Sequence, residues 1–172
     1  KVLLRIIETN FNLTITEKNN ENGIYYEIKD KETQRVGYLI LNIYEEEFEN
    51  FYNCVDLQKH FKIGNNYSCY IGKINGSFGK NKESKVSLFE MIDLGHELGH
   101  ALHAFYSQYD YKVFNYAWDL IELPSQFLEK FLLNKDILLK FIENDIKYSL
   151  DEKKKDINEW LNYKSLADFS NL

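Results

Sequence analysis

Up to about Phe78 the apolar positions come in short runs rich in β-branched and aromatic residues: Ile24-Tyr-Tyr-Glu-Ile, Arg35-Val-Gly-Tyr-Leu-Ile-Leu-Asn-Ile-Tyr and Asn66-Tyr-Ser-Cys-Tyr-Ile-Gly-Lys-Ile. Side chains of this kind fit a pleated, half-buried surface, so each run predicts a strand. The polar stretches Asn19-Asn-Glu-Asn-Gly and Asp30-Lys-Glu-Thr predict the turns between them. From Ser87 onward the period changes. Leu88, Met91, Ile92, Gly95, Gly99 and Leu102 recur at spacings of three and four, the period of a helix that presents one face to a core.

Three further helices follow on the same reasoning, over about Leu120–Leu133, Ile137–Lys147 and, more weakly, Asp151–Asn162. Pro124 fits the first of these if it sits in the opening turn, where its missing N–H breaks no hydrogen bond. The Lys-Lys-Lys run at 153–155, flanked by Glu152 and Asp156, reads as a solvated helix face. Sheet first and helices second predicts an α+β fold in one domain over 1–172, with a sheet portion at about 1–80 and a helical portion at 87–172. There is no internal repeat. The sequence opens without Met, inside an apolar run, which points to a natural protein that extends upstream.

Composition narrows the classes. Of 172 residues, 44% are hydrophobic and 16% aromatic, enough for a substantial core, while 8 Gly and 1 Pro exclude collagen-like and low-complexity chains. The net charge of -6, with no basic cluster free of acidic neighbours, argues against a nucleic-acid partner. No stretch reaches the roughly 20 apolar residues that span a bilayer, and the opening Lys1-Val-Leu-Leu-Arg-Ile-Ile is too short for a signal peptide. The expectation is therefore a protein with no membrane partner. Cys54 and Cys69, isolated from each other, read as reduced thiols, which suits the cytoplasm or an organelle such as the mitochondrion.

The chemistry is concentrated in His96-Glu97-Leu98-Gly99-His100, an H-E-x-x-H motif. On a helix, positions i and i+4 project from one face a turn apart, so both imidazoles reach one ion. Zinc takes neutral imidazole and carboxylate, and a catalytic zinc uses three protein ligands with the fourth position left to water. Glu122, on the next predicted helix, is the best third ligand, with Asp110, Asp119 and Glu129 as competitors in the same region. Glu97 points past the metal and is placed to act as general base. Asp119 is a candidate to accept the outer N–H of a liganding His. His103, a turn beyond His100, packs or hydrogen-bonds rather than ligating, and His60, in a polar stretch, reads as exposed.

Beyond the short motif, His96-Glu-Leu-Gly-His-Ala-Leu-His103 followed by Asp119-Leu-Ile-Glu-Leu-Pro-Ser-Gln126 and Glu129 resembles the thimet oligopeptidase and neurolysin family of zinc oligopeptidases. The second block discriminates, because H-E-x-x-H is shared by many zincins whereas E-x-P-S-Q-x-x-E at this separation is close to a family signature. The resemblance implies a zincin-like catalytic core, one Zn²⁺ per chain on His96, His100 and Glu122, and Glu97 as general base. Glu129 joins Asp119 and His103 as a candidate for supporting hydrogen bonds to the ligands. The resemblance further implies a metallopeptidase, a hydrolase of internal bonds in short peptides admitted to a deep channel.

Upstream, Ile24–Tyr44 resembles the family's hairpin, and Ile71-Gly-Lys-Ile-Asn-Gly-Ser-Phe78 its substrate-side edge strand, where Ile74, Asn75 and Gly76 would meet an extended peptide. The bland reading of that segment is an ordinary sheet strand. Two departures accompany the resemblance. The acidic segment Asn42-Ile-Tyr-Glu-Glu-Glu-Phe-Glu-Asn-Phe-Tyr lacks the family's Asp-x-Tyr-Pro-Arg pattern. The family's Gly-, His- and Tyr-bearing oxyanion segment and its long helical N-terminal portion have no counterpart here, and Tyr148 and Tyr163 lack that context. The alternative is therefore a zinc-stabilised but catalytically silent fragment or interaction domain, with the remaining N- and C-terminal portions as its partners.

Overall fold

The computed structural model describes residues 1–21, 23–44, 53–63, 67–76, 87–107, 118–142 and 154–162, less the side chains of 53, 55–70, 118 and 119. It is a mixed α+β structure. Helix α1 (Val2–Asn10) precedes a five-stranded sheet of β1 (Leu13–Asn20), β2 (Gly23–Asp30), β3 (Val36–Asn42), β4 (Asn53–Ile63) and β5 (Tyr67–Asn75). Helices α2 (Leu88–Tyr106), α3 (Trp118–Leu132) and α4 (Lys135–Ile142) follow, and residues 154–162 are helical as well.

The strand order is β1-β2-β3-β5-β4, with one parallel pair, β3 with β5, among antiparallel neighbours. Within the strand runs, β2 and β3 form the expected hairpin. Its turn is built by Asp30, whose Oδ1 accepts the N–H groups of Glu32 and Thr33 at 2.8 Å each, an Asx turn that lets Gln34 take a left-handed φ of 59°. At the preceding hairpin the left-handed position, φ +115°, falls to Gly23, where no side chain is strained.

Three elements differ from expectation. The opening apolar run is helix α1, not strand; Leu3, Leu4, Ile6 and Ile7 are buried where it packs on β1 and α4. A short apolar run satisfies either period, and here tertiary burial decides. Strands β1 and β4 lie outside the runs that predict strands, although β4 alternates Val55, Leu57, Phe61 and Ile63 with polar residues. Pro124 lies beyond the first turn of α3. Its ring removes the N–H that the Leu120 carbonyl would accept, but Leu120 and Leu123 are exposed, so water reaches that side.

The most consequential correction concerns β5. It pairs with β3 on one side and β4 on the other, so it is interior and β4 forms the edge on that side. Ile74 is fully buried, Asn75 is buried with its Oδ1 accepting from Asn42, and Gly76 donates its N–H to the Asn42 carbonyl at 3.0 Å. The residues expected to offer a free edge, Ile74, Asn75 and Gly76, are thus occupied by the sheet, because β4 closes the side that was read as open. Most of the acidic segment after Tyr44, together with His60's side chain, Asp110, Tyr148 and Tyr163, lies outside the described residues.

The core lies between the sheet and the helices. Leu13, Ile28, Leu39 and Ile74 come from the strands, and Ile92, Leu98, Ala101 and Phe105 from α2. Both ends of α2 are secured. At its start, Ser87 and Glu90 form a reciprocal capping box, with hydrogen bonds of 3.2 and 2.7 Å. At its end, the Arg35 guanidinium donates to the carbonyls of Phe105 and Tyr106 at 3.0 and 2.8 Å, satisfying last-turn acceptors with a cation at the negative end of the helix. Replacing Arg35 with Met is expected to lower unfolding stability by about 1–2 kcal/mol, read from the midpoint of a urea transition; an unchanged midpoint would show that water serves those carbonyls equally well.

Candidate metal centre

α2 carries His96 and His100 a turn apart, both half-buried on the face turned to α3. α3 places Glu122 opposite. His96 Nε2 and His100 Nε2 are 3.1 Å apart, and Glu122 Oε2 lies 3.2 Å from the first and 3.3 Å from the second. Three donor atoms thus form a nearly equilateral triangle. Among the described residues this is the group of His, Cys, Asp and Glu side chains that converges on one point.

The close approach of the two helices depends on Gly99. A Cβ there would come within 2.5 Å of the Ser125 Cα and 2.8 Å of the Pro124 carbonyl oxygen. These are backbone atoms and have no rotamer to yield. Gly95, a turn earlier, faces instead the end of the Leu132 side chain.

Supporting groups fix the orientation of the donors. Glu129, on α3, hydrogen-bonds His96 Nδ1, so in the neutral ring Nδ1 carries the hydrogen and Nε2 presents its lone pair to the triangle. Hydrogen bonding to Glu129 is also the main reason that the His96 imidazole holds its proton above the ordinary histidine range, burial opposing it. His100 moves the other way, chiefly because it is buried. Ser125, fully buried, sets its hydroxyl 2.7 Å from the Glu122 carbonyl oxygen and 3.0 Å from Glu122 Oε2.

Glu97, between the histidines in sequence, turns away from α3. It is only 8% exposed, and its carboxylate hydrogen-bonds the Cys54 main chain on β4. Burial raises its pKa, the His96 charge and the Cys54 hydrogen bond pull it back, and the Glu122 charge pushes it up again. The Glu97 carboxylate is thus held between β4 and the donor cluster with its pKa raised.

Of the other residues anticipated from the sequence, Glu129 joins the cluster. His103 stands outside the donor triangle and lines an apolar cavity of about 400 Å³ together with Leu102, Tyr106, Leu123 and Phe127. Asp119 belongs to α3, but its side chain is outside the described set. Two contributors were not anticipated: Cys54, on a strand outside the runs that predict strands, and Ser125, present in the E-x-P-S-Q block but with no role attached to it.

A fold that brings two imidazoles and a carboxylate together on adjoining helices defines a candidate site for one divalent cation. Comparison with known proteins makes the class specific: the profile of peptidase family M3 matches residues 2–168, and the chain belongs to that family. It is 24% identical to oligopeptidase A of Haemophilus influenzae, with 79% of this chain and 22% of the relative covered, and 28% identical to saccharolysin of Saccharomyces cerevisiae, with 80% and 22% covered. The chain thus spans about a fifth of the length of these curated relatives. No helix among the described residues is long and apolar enough to cross a membrane.

Proposed function

We propose that this chain is the zincin-like core of a zinc endopeptidase that hydrolyses internal bonds of short peptides, with one Zn²⁺ held by His96, His100 and Glu122. The observation that carries this reading is the donor triangle. Tetrahedral zinc with bonds of about 2.0–2.1 Å keeps its ligand atoms about 3.3–3.4 Å apart, and the three edges here are 3.1, 3.2 and 3.3 Å. All three atoms are acceptors in their metal-ready forms, a set that a cation stabilises and that repels itself without one. When bound, zinc supplies Lewis-acid polarisation of a carbonyl and lowers the pKa of water.

Glu97 is the general base in this reading. Its buried carboxylate takes a proton from the attacking water and passes it to the departing amine, and the raised pKa makes the return step easier than for an exposed glutamate. Glu129 orients His96, and Asp119 and His103 remain candidates for further support of the ligands. An extended peptide would add to the sheet at the β4 edge, the mode in which main-chain hydrogen bonds hold a substrate beside a catalytic helix. The site is proposed to work in a reducing compartment, with neither nucleic acid nor membrane as partner.

The test is cleavage of quenched fluorescent peptides by the zinc-loaded chain, before and after removal of metal by a chelator. Turnover that disappears with the metal and returns with one equivalent of zinc supports the reading; turnover indifferent to chelation sinks it. The share of the relatives' length that is matched favours a second reading, a zinc-stabilised chain that turns over only with further portions of the protein. On that reading the chain binds zinc but cleaves nothing alone.

Zinc binding should depend on pH through both ligand histidines. Below the ordinary imidazole value of about 6.5, protons compete for the nitrogens. The sign for the metal-free protein is mixed: the raised value of His96 contributes stability below that range and loses it as pH rises, whereas the lowered value of His100 contributes above it and loses it as pH falls. These tendencies offset one another, so the pH dependence emerges in metal affinity. A chelator-competition titration between about pH 8 and about pH 5.5 is expected to show affinity falling steadily toward acid; a flat profile would mean that the metal is not held by these imidazoles.

A further inference from the structure

Ser125 is completely buried, and its hydroxyl has two acceptors within reach: the carbonyl oxygen of Glu122 at 2.7 Å and Glu122 Oε2 at 3.0 Å. The first contact is the ordinary back-bond of a helical serine and by itself implies nothing about function. The second is different, because Oε2 is the same oxygen that stands 3.2 and 3.3 Å from the two histidine Nε2 atoms. The single O–H hydrogen is shared between these two acceptors in a three-centre bond, and a carboxylate oxygen carries lone pairs enough for both that hydrogen and a cation. The Glu122 side chain is thereby tethered to its own helix, with one chosen oxygen toward the histidines.

We propose that Ser125 is a positioning residue for the third ligand: its hydroxyl holds Glu122 so that Oε2 alone faces the metal, keeping the carboxylate one-toothed and a coordination position open. This inference rests on the metal site proposed above. The backbone at this point cannot drift, since the Ser125 Cα and N lie against Gly99 on α2. The hydroxyl is therefore carried at a fixed height relative to His96 and His100, and it transmits that position to a carboxylate that would otherwise rotate freely about its last torsion. Loss of the tether lets both oxygens turn to the metal or lets the carboxylate swing away, and either change alters coordination as well as affinity.

The experiment compares the 172-residue chain with its Ser125→Ala and Ser125→Cys variants, the second filling the volume with a much weaker donor. Zinc affinity is read by chelator competition, coordination by the visible absorption of the cobalt-substituted protein, and folding by the thermal midpoint of the metal-free forms. The expected result is a loss of zinc affinity of about 10–100-fold in both variants, with weaker cobalt bands that mark a rise from four to five coordination, at a thermal midpoint close to the parent's in at least the Cys variant. Parent affinity and a parent cobalt spectrum in either folded variant would overturn the role of Ser125 while leaving the metal site intact. A parent chain that takes up no stoichiometric zinc would overturn the metal site and this inference together.

Discussion

On the proposed endopeptidase reading, replacing Glu97 with Gln is expected to lower peptide turnover by about 10²–10⁴-fold, the usual contribution of a positioned proton carrier, while zinc content stays at the parent level. The two halves of this expectation have separate physical origins. Glu97 turns from the donor triangle toward β4, where its carboxylate meets the Cys54 main chain, so an amide of the same shape leaves the ligand atoms where they are. What the amide cannot do is accept a proton. Because burial already holds the carboxyl group above its ordinary range, the neutral side chain adds no desolvation penalty, and the variant should fold at least as stably as the parent. Turnover and metal analysis on the same preparation check the point: equal rates in parent and variant would remove Glu97 from the mechanism, and zinc lost along with activity would make it a structural support of the site.

The second large effect is expected at Gly99. Alanine is the better helix former by about 1 kcal/mol, and at an exposed position it would stabilise α2. Here its Cβ would stand 2.5 Å from the Ser125 Cα and 2.8 Å from the Pro124 carbonyl, so α2 and α3 must separate. Overpacking of this kind costs about 1–3 kcal/mol, which exceeds the gain in propensity. The separation also opens the triangle, since His96 and His100 ride on one helix and Glu122 on the other. Gly99→Ala should therefore lower the thermal midpoint and weaken zinc binding together. Gly95→Ala is the control: its Cβ would meet the buried tip of Leu132 rather than backbone, so it costs stability by overpacking the core while the helix backbones beside Glu122 keep their spacing, and zinc affinity should survive. If both alanine variants bind zinc like the parent, the close approach of the helices is not what assembles the site.

Much of this was legible in the residues. The change of period at Ser87 marks α2, and the H-E-x-x-H spacing places both imidazoles on one face. Glu122 was legible because zinc chemistry calls for a third ligand on the next element, and the structure brings that carboxylate to within 3.3 Å of both imidazoles. Glu129 was visible as a candidate, but nothing in its spacing said whether it would meet the metal or the outer nitrogen of His96; the tertiary packing of α3 on α2 decides that. The sheet was less readable. β4 does alternate, with Val55, Leu57, Phe61 and Ile63 against Asp56, Gln58, His60 and Lys62, but Lys59 breaks the pattern and the register shifts twice against β5, so the strand is easily passed over. Missing β4 made β5, which carries Ile74 and Asn75, look like an edge, whereas it is paired on both sides. α1 was missed for the opposite reason: an apolar run too short for its period to tell helix from strand. Long periodic runs thus marked their elements, whereas a short run such as α1 and an interrupted alternation such as β4 did not declare themselves.

The central claim is that His96, His100 and Glu122 hold one metal ion between α2 and α3. Its most direct test is the zinc content of the purified chain after loading and exhaustive dialysis near neutral pH, beside a variant in which all three are replaced by Ala. The account predicts one zinc per parent chain and none in the variant, with the variant's helical content shown to be retained by circular dichroism. Equal zinc in both proteins, or none in the parent, would contradict it.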